Sequence, residues 1–153
     1  PRASHVFDQG CDLGAVAGKR MGFWRVVASA QQRSVDIDLE TGSPVLVDLP
    51  AAEVLSILDN LVQNVLTHTV AGVGFTVAVT ADPPRLTVAD EGDGLPSTDV
   101  FDRGSSSGHG SGLGLDIVRR LAEQSGGEVT VGESDGATIV VRFGKPVSPT
   151  EAS

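Results

Sequence analysis

The chain has 153 residues, of which 11 are Lys or Arg and 20 are Asp or Glu, so its formal net charge is −9. This length predicts a single domain with a hydrophobic core, and the acidic balance argues against nucleic-acid binding, which needs a basic surface. The single cysteine, Cys11, excludes an internal disulfide and a cysteine-based zinc site, and it fits a reducing compartment such as the cytoplasm.

No segment of the chain is predicted to cross or contact a membrane. Residues 61–81 carry no formal charge, but they include Gln63, Asn64 and His68, whereas a spanning helix needs about 20 mainly apolar residues. No signal peptide is recognisable. Because the sequence opens at Pro1 and its only methionine is Met21, we interpret it as a fragment of a longer protein.

The first third of the chain is predicted to hold a helix and a hairpin. Residues 1–11 are expected to be a lead-in from a preceding domain. Asp12 is a candidate N-cap for a helix whose apolar residues fit one face, namely Leu13, Val16, Ala17, Phe23, Trp24 and Val27. Residues 34–39 and 44–49 alternate apolar and polar side chains around a Thr-Gly-Ser turn. That pattern predicts a β-hairpin.

A second helix is predicted to follow Pro50, with an inward face made of Val54, Leu55, Leu58, Leu61, Val62 and Val65. Strands are expected at 74–80 and 85–89, and the polar stretch 91–111 is either a functional loop or a linker. A third helix is predicted at 112–124, followed by strands EVTVGE and ATIVVRF and a disordered tail at 145–153. The order predicts a two-layer α/β sandwich over residues 12–144, with about three helices on one face of a mixed, mostly antiparallel sheet.

The segment LDNLVQNVLTHT, residues 58–69, places Asn60, Asn64 and His68 four residues apart on one helical face. Asparagine is a poor helix former, so two of them within a helix cost stability unless they have a role. One alternative is that both amides only contact the backbone or water. The other is that an amide oxygen binds Mg²⁺, which takes one or two protein oxygens together with substrate phosphates.

A second segment, LTVADEGDGLP at residues 86–96, brings Asp90 to the end of a strand, where Gly92 and Gly94 allow a tight turn. A carboxylate here can accept a hydrogen bond from the exocyclic amino group of adenine, whereas the oxygen of guanine would be repelled. Taken alone, the segment also fits an ordinary turn, because Asp and Gly are common turn residues.

A third segment, GHGSGLGLDIVRRLAE at residues 108–123, places Gly110, Gly112 and Gly114 directly before a helix. Free backbone N–H groups and the positive helix end would then form an anion site suited to phosphates. A flexible hinge before a helix is the alternative. The glycine spacing fits neither a P-loop nor the dinucleotide-binding fingerprint.

Together and in this order, the three segments resemble the Bergerat-type ATP-binding fold shared by sensor histidine kinases, DNA gyrase, heat-shock chaperone ATPases and mismatch-repair ATPases. Within that group, the chain is most similar to the catalytic and ATP-binding domain of a two-component histidine kinase. LDNLVQN resembles the asparagine box, VADEGDGLP the first glycine box, VFDRG the phenylalanine box and GHGSGLGL the second glycine box. The resemblance covers about residues 12–144.

The resemblance implies that the cofactors are ATP and Mg²⁺, with Asn64 as the metal ligand, Asn60 lining the phosphate site and Asp90 recognising adenine. It assigns Phe101 to pinning the lid and Arg103 to the terminal phosphates, so Asn60, Asn64 and Arg103 are the expected catalytic residues. The further nucleotide contacts that it implies are His68, Gly92, Gly94, Leu95, Gly110, Ser111, Gly112, Leu113, Gly114, Leu115 and Thr138.

Position 60 bears on the type of reaction. In ATPases and serine kinases of this group, the residue four before the magnesium asparagine is usually a glutamate that acts as a base. Water and serine hydroxyls need a base, whereas most imidazole is already neutral at pH 7 and carries a free lone pair. Because the amide of Asn60 cannot act as that base, the sequence favours a histidine kinase over a hydrolase.

Two positions depart from the family pattern. Thr67 stands where the family often has a basic residue near the phosphates, so a charge-assisted contact is missing. Ala137 stands at a position where some relatives have a threonine that supports adenine binding. These departures predict a modest affinity for the nucleotide.

None of the three histidines, His5, His68 and His109, has the surroundings of the family's phosphoacceptor. The resemblance therefore implies two partners, a separate dimerisation domain that carries the acceptor histidine and a response regulator. One alternative is a serine kinase of the anti-sigma-factor type, with the same fold. Another is a non-catalytic, nucleotide-binding regulatory module.

Overall fold

The computed structural model describes residues 10–40, 42–91, 110–133 and 137–145, with the backbone alone at 110–114 and 133. The helices within these ranges are α1 (Leu13–Ala30), α2 (Ala51–His68) and α3 (Gly110–Ser125). The strands there are β1 (Cys11–Asp12), β2 (Val35–Leu39), β3 (Leu46–Val47), β4 (Phe75–Ala81), β5 (Pro84–Asp90), β6 (Glu128–Glu133) and β7 (Ala137–Arg142). Nearly all of the predicted lead-in and tail lie outside the described residues.

The larger sheet has five strands in the order β2-β4-β5-β7-β6. The pair β2 and β4 is parallel and the other three pairs are antiparallel. Alternate residues of these strands point to the helices and join one hydrophobic core, which includes Val77, Val79, Leu86, Val88, Ile139 and Val141. The predicted α/β sandwich with a mixed, mostly antiparallel sheet and three helices is confirmed.

The predicted hairpin between residues 34–39 and 44–49 is wrong. Val35–Leu39 pairs in parallel with Phe75–Val79, and Leu46–Val47 pairs with Cys11–Asp12 instead. Alternation along a strand determines which side chains are buried, but it does not determine the partner strand. The chain leaves β2, passes through α2 and returns as β4, which is a crossover connection of the kind that parallel strands require.

The start of α1 follows the prediction. Asp12 caps the helix by accepting a hydrogen bond from the N–H of Gly14, at 3.2 Å. The same carboxylate oxygen accepts a second bond from the N–H of Val45, at 3.0 Å, so the cap also fixes the segment that leads into β3. The buried side of α1 consists of Leu13, Ala17, Met21, Trp24 and Ala28.

Phe23 is an exception to the predicted inward face of α1, because 49% of its surface is exposed. Phe23 and Trp24 are consecutive residues, and consecutive side chains on a helix point about 100° apart. Trp24 is the one that enters the core, while the Phe23 ring lies 4.6 Å from the guanidinium of Arg20.

The second and third helices also match their predicted positions. Val54, Leu58, Leu61, Val62 and Val65 of α2 are buried, as predicted, and Leu55 is half-buried. Helix α3 begins at Gly110, two residues before its predicted start. Across the described ranges, no helix has both the length and the apolar character that a membrane span requires.

Candidate functional site

The asparagine face of α2 is the first part of the candidate site. Along it, Asn60 is half-buried, Asn64 is buried with 5% of its surface exposed, and His68 is exposed as the last helical residue. The Nδ2 group of Asn60 donates to the carbonyl oxygen of Ser56, at 2.7 Å. Asn60 also borders an open groove of about 520 Å³ on the outer side of α2, to which Asn64 does not contribute.

Asn64 carries a buried carboxamide oxygen. Its Oδ1 is inaccessible to solvent and has no hydrogen-bond partner among the described residues. Leaving a buried acceptor without a partner costs about 1–3 kcal/mol. A carboxamide oxygen is a hard ligand of the type that Mg²⁺ prefers, so Asn64 fits the role of a metal ligand.

The end of β5 is the second part. Leu86 and Val88 are buried against the helices, and the alternation of the strand places Asp90 on that same face. Its Oδ1 accepts a hydrogen bond from the backbone N–H of Ala137, at 3.3 Å. Asp90 is half-buried, and its carboxylate is held by the backbone of β7.

Two positions of β7 that the sequence singled out, Ala137 and Thr138, lie on opposite faces of the sheet. Thr138 pairs with Ala89 and lies on the face of the sheet that points away from the helices. Ala137, its neighbour, is buried on the helical side and contacts Asp90 through its backbone. The structure therefore does not bring the Thr138 side chain together with Asn64 and Asp90.

The start of α3 is the third part, and here the glycines lie inside the helix. Gly110 is its first residue, so Gly112 and Gly114 belong to its first turns instead of preceding it, and Ser111 and Leu113 lie between them. The N–H groups of a first helical turn have no partner within the helix, and the positive end of the dipole attracts anions. Helix α3 packs beside α2. The side chain of Leu115 is fully buried in the core, so only its backbone remains for a ligand.

The remaining predicted site residues are Gly92, Gly94, Leu95, Phe101 and Arg103, and they lie outside the described residues. Thr67, one of the two departures from the family pattern, is exposed near the end of α2.

Asp59, next to Asn60, forms a polar cluster that the sequence analysis missed. It accepts two hydrogen bonds from Arg20, at 2.9 and 3.0 Å, and one from Nε1 of Trp24, at 2.7 Å. The hydrogen bond with Asp59 raises the pKa of the Arg20 guanidinium, although its partial desolvation opposes this. This cluster joins α1 to α2, and an Arg-Asp pair 39 residues apart leaves no periodic signal in a sequence.

Arg33 is a second missed residue, since nothing around it in the sequence marks it. It is buried, with 5% of its surface exposed, just before β2. A lone arginine between a helix and a strand is usually a surface residue, so only the structure reveals its burial.

Residues 51–147 match the protein family described as histidine kinase-, DNA gyrase B- and HSP90-like ATPase. The chain is 35% identical over 133 residues to the signal transduction histidine-protein kinase AfsQ2 of Streptomyces coelicolor, covering 80% of this chain and 24% of AfsQ2. It is 26% identical over 147 residues to the sensor histidine kinase TmoS of Ectopseudomonas mendocina, covering 84% of this chain and 15% of TmoS. The chain therefore spans about a quarter or less of the length of these relatives.

Solved structures share the fold. The catalytic domain of histidine kinase ThkA superposes with a TM-score of 0.75 at 18% identity, covering 89% of this chain and 95% of that one. The mycobacterial sensor histidine kinase MprB superposes with a TM-score of 0.73 at 24% identity, covering 91% and 99%. The chain belongs to the histidine kinase-, DNA gyrase B- and HSP90-like ATPase family, and it corresponds to the ATP-binding catalytic domain of sensor histidine kinases.

Proposed function

We propose that this chain binds Mg-ATP between α2, the end of β5 and the start of α3, and that it transfers the γ-phosphoryl group to a histidine on a separate dimerisation domain. The observation that carries the proposal is the buried Oδ1 of Asn64, which lacks a partner among the described residues and is a suitable magnesium ligand. When bound, the metal would supply positive charge that offsets the charge of the phosphate oxygens.

The residues of this chain would act mainly by positioning. Asp90 would accept a hydrogen bond from the adenine amino group, while its Oδ1 is held by the N–H of Ala137. The first-turn N–H groups of α3 would contact phosphates. In the transfer, a neutral imidazole nitrogen of the acceptor attacks the γ-phosphorus, and the bond to the bridging oxygen breaks with its electron pair leaving on ADP.

The side chain at position 60 supports a histidine acceptor. Asn60 donates to the carbonyl of Ser56 and has no basic atom with which to take a proton from water or serine. We infer that the acceptor histidine belongs to a dimerisation domain of the same parent protein and that a response regulator receives the phosphoryl group. We infer a cytoplasmic location, because the reaction consumes cytoplasmic ATP.

We also propose that the nucleotide-binding domain spans residues 12–144. At its start, Asp12 caps α1 and binds Val45. At its end, the carbonyl oxygen of Gly144 accepts a hydrogen bond from the N–H of Asp48, at 2.9 Å. The N–H of Gly144 donates to Oγ of Ser125, at 3.1 Å. Both limits are therefore tied to the body of the fold.

Calorimetric titration of the chain with Mg-ATP and with Mg-ITP, which has an oxygen in place of the adenine amino group, tests the binding site. We expect Asp90→Asn to reduce the preference for ATP over ITP by about tenfold, the scale of one good base contact. Asp38→Asn is the matched control, because Asp38 is exposed on the face of the sheet away from the helices. An absence of binding at millimolar Mg-ATP would contradict the proposal.

A second experiment tests the transfer. Mixed with an acceptor domain and radiolabelled ATP, the chain should yield a labelled product that acid hydrolyses, as expected of phosphohistidine. An acid-stable product would instead favour the serine kinase, and binding without transfer to a competent acceptor would favour the regulatory module.

A further inference from the structure

Arg33 is turned into the protein by the way α1 ends. The N–H of Gln32 donates to the carbonyl of Ser29, at 3.0 Å, and the N–H of Arg33 donates to the carbonyl of Ala28, at 2.9 Å. This is the pairing of a Schellman motif, with Gln32 at the left-handed position, φ 55°. The sharp reversal directs the chain from α1 into β2 and leaves the Arg33 side chain buried.

The guanidinium of Arg33 connects three segments through four hydrogen bonds. Its Nε donates to Oε1 of Gln31, at 2.7 Å, at the end of α1. Its Nη1 donates to Oγ1 of Thr69, at 2.7 Å, and to the carbonyl of Val73, at 3.0 Å, while Nη2 donates to the carbonyl of Thr69, at 3.0 Å. Thr69 is the residue that follows α2, and Val73 lies in the loop before β4. Arg33 thus fixes the C-terminal end of α2.

The Arg33 segment also adjoins the strand end that carries Asp90. In the sheet register, Phe75 pairs with Val35 on one side and with Asp90 on the other. The N–H of Phe75 donates to the carbonyl of Ser34, at 3.0 Å, directly after Arg33. Segments that are distant in sequence therefore meet in one row across three strands.

Gly74 shows how closely these three segments approach. The N–H of Glu91 donates to the carbonyl of Gly74, at 3.0 Å. A Cβ atom at position 74 would lie 2.9 Å from the carbonyl oxygen of Ser34 and 3.2 Å from Oε1 of Glu91. A shift of the chain near Arg33 would consequently be transmitted to the end of β5.

The charge of Arg33 also interacts with the charge of Asp90 at the end of β5. All four of its hydrogen-bond acceptors are neutral, and burial lowers the pKa of its guanidinium. The negative charge of Asp90 opposes that shift. The carboxylate of Asp90 therefore favours the charged form of the Arg33 guanidinium.

We propose that Arg33 is a positioning residue for base selection: it holds the end of α2 and the 69–74 loop against the Asp90 strand end. This inference rests on the proposed function, in which Asp90 contacts adenine. Arg33 does not contact the nucleotide. It keeps the carboxylate of Asp90 in a fixed orientation, so that binding adenine requires little rearrangement.

The test measures the affinity of the full chain for Mg-ATP and Mg-ITP by calorimetry, together with its thermal unfolding. We expect Arg33→Met to weaken ATP binding about tenfold and ITP binding much less, so that the preference for ATP falls. Arg33→Lys keeps the charge but loses the forked donors, and we expect it to retain part of the preference. Arg20→Met is the matched control, since Arg20 also joins α1 to α2 but contacts Asp59. It should lower the Tm and leave the preference unchanged.

A purely structural role would give a different result. If Arg33→Met and Arg33→Lys lower the Tm but bind ATP and ITP in the ratio of the unmodified chain, the inference is wrong. If Arg33→Met does not fold, the Arg33→Lys ratio decides, because that variant keeps the buried charge. If the unmodified chain binds neither nucleotide, the proposed function itself fails. If the unmodified chain prefers ATP and both Arg33 variants keep the same ratio of ATP to ITP affinity, only the role of Arg33 is overturned.

Discussion

Two polar side chains on α2, Asp59 and Asn64, occupy different environments although they are little more than one helical turn apart. Asp59 has three hydrogen bonds, two from Arg20 and one from Trp24, and it remains partly exposed. Asn64 is more deeply buried, and its Oδ1 has no hydrogen-bond partner within the described part of the chain. Among the described residues, the helix therefore carries one acceptor with hydrogen-bond partners and one without.

The difference separates stability from function on a single helix. A satisfied polar group between two helices fixes how they pack, whereas a buried acceptor without a partner lowers stability unless a ligand supplies the missing contact. Asp59 therefore belongs to the architecture, and Asn64 belongs to the proposed binding site. Matched substitutions at these two positions test this division.

The largest expected effect is that of Asn64→Leu on Mg-ATP binding. Loss of a neighbour of a metal ligand typically costs 10–100-fold, so we expect loss of the ligand itself to weaken binding by about 100-fold or more. Without nucleotide, the free energy of unfolding should stay equal or rise, since an unsatisfied buried oxygen is removed. Calorimetry and urea unfolding measure the two quantities.

The assignment of Asn64 to binding is contradicted if Asn64→Leu destabilises the ligand-free chain and leaves Mg-ATP binding intact. Asn64 would then be a structural residue, and the buried oxygen would have no functional meaning. Titration of ATP in the presence of excess EDTA separates loss of the metal contact from general damage to the site.

The next effect is that of Asp59→Leu, which should act in the opposite way. It removes three hydrogen bonds and leaves Nε1 of Trp24 without its acceptor, so we expect the Tm to fall by several degrees. Mg-ATP affinity should stay within about twofold, which is less than 1 kcal/mol. Trp24 is the only tryptophan, so its fluorescence reports on this contact directly.

In this experiment, the emission of Trp24 should shift in Asp59→Leu and stay constant in Asn64→Leu. A large loss of nucleotide affinity in Asp59→Leu, with the chain still folded, would show that the two positions act together.

The smallest effect is that of Arg20→Lys. Lysine keeps the charge, but it cannot make the bidentate hydrogen bonds to Asp59 or the guanidinium–π contact with the ring of Phe23. We expect a smaller fall in Tm than for Asp59→Leu. Because the pair is partly exposed, the difference between Arg20→Lys and the unmodified chain should shrink at high salt. Thermal unfolding at low and high salt measures this, and a salt-independent difference would indicate lost packing instead.

The sequence predicted the helices and strands of this fold well, but it did not predict every pairing. Periodicity located α2 and β5, because burial of one face follows from local spacing. It misassigned β2, since the partner of Val35–Leu39 lies beyond an intervening helix, and local alternation contains no information about so distant a strand. Phe23 was misplaced because adjacent helical side chains point about 100° apart, and here Trp24 enters the core while Phe23 stays half exposed.

For the candidate site, the motifs predicted the residues whose chemistry is local. Spacing and neighbours marked Asn64 and Asp90 as candidates with alternatives still open, and the resemblance to the family's motifs implied their roles. The structure places both on the side where the helices cover the sheet. Arg33 and Asp59 could not be found in that way. Each acquires its meaning from partners more than 30 residues away along the chain, at Thr69 for Arg33 and at Trp24 for Asp59.

The outer position of β2 has a practical consequence for anyone shortening this protein. The family match begins at residue 51, but β2 lies upstream of that point and covers one side of β4. A version cut at Ala51 would leave the backbone of β4 open to other molecules, which invites aggregation. Where β2 is retained, Asp36 and Asp38 put negative charge on this edge strand of the described sheet, and charged side chains on an edge strand disfavour such contacts.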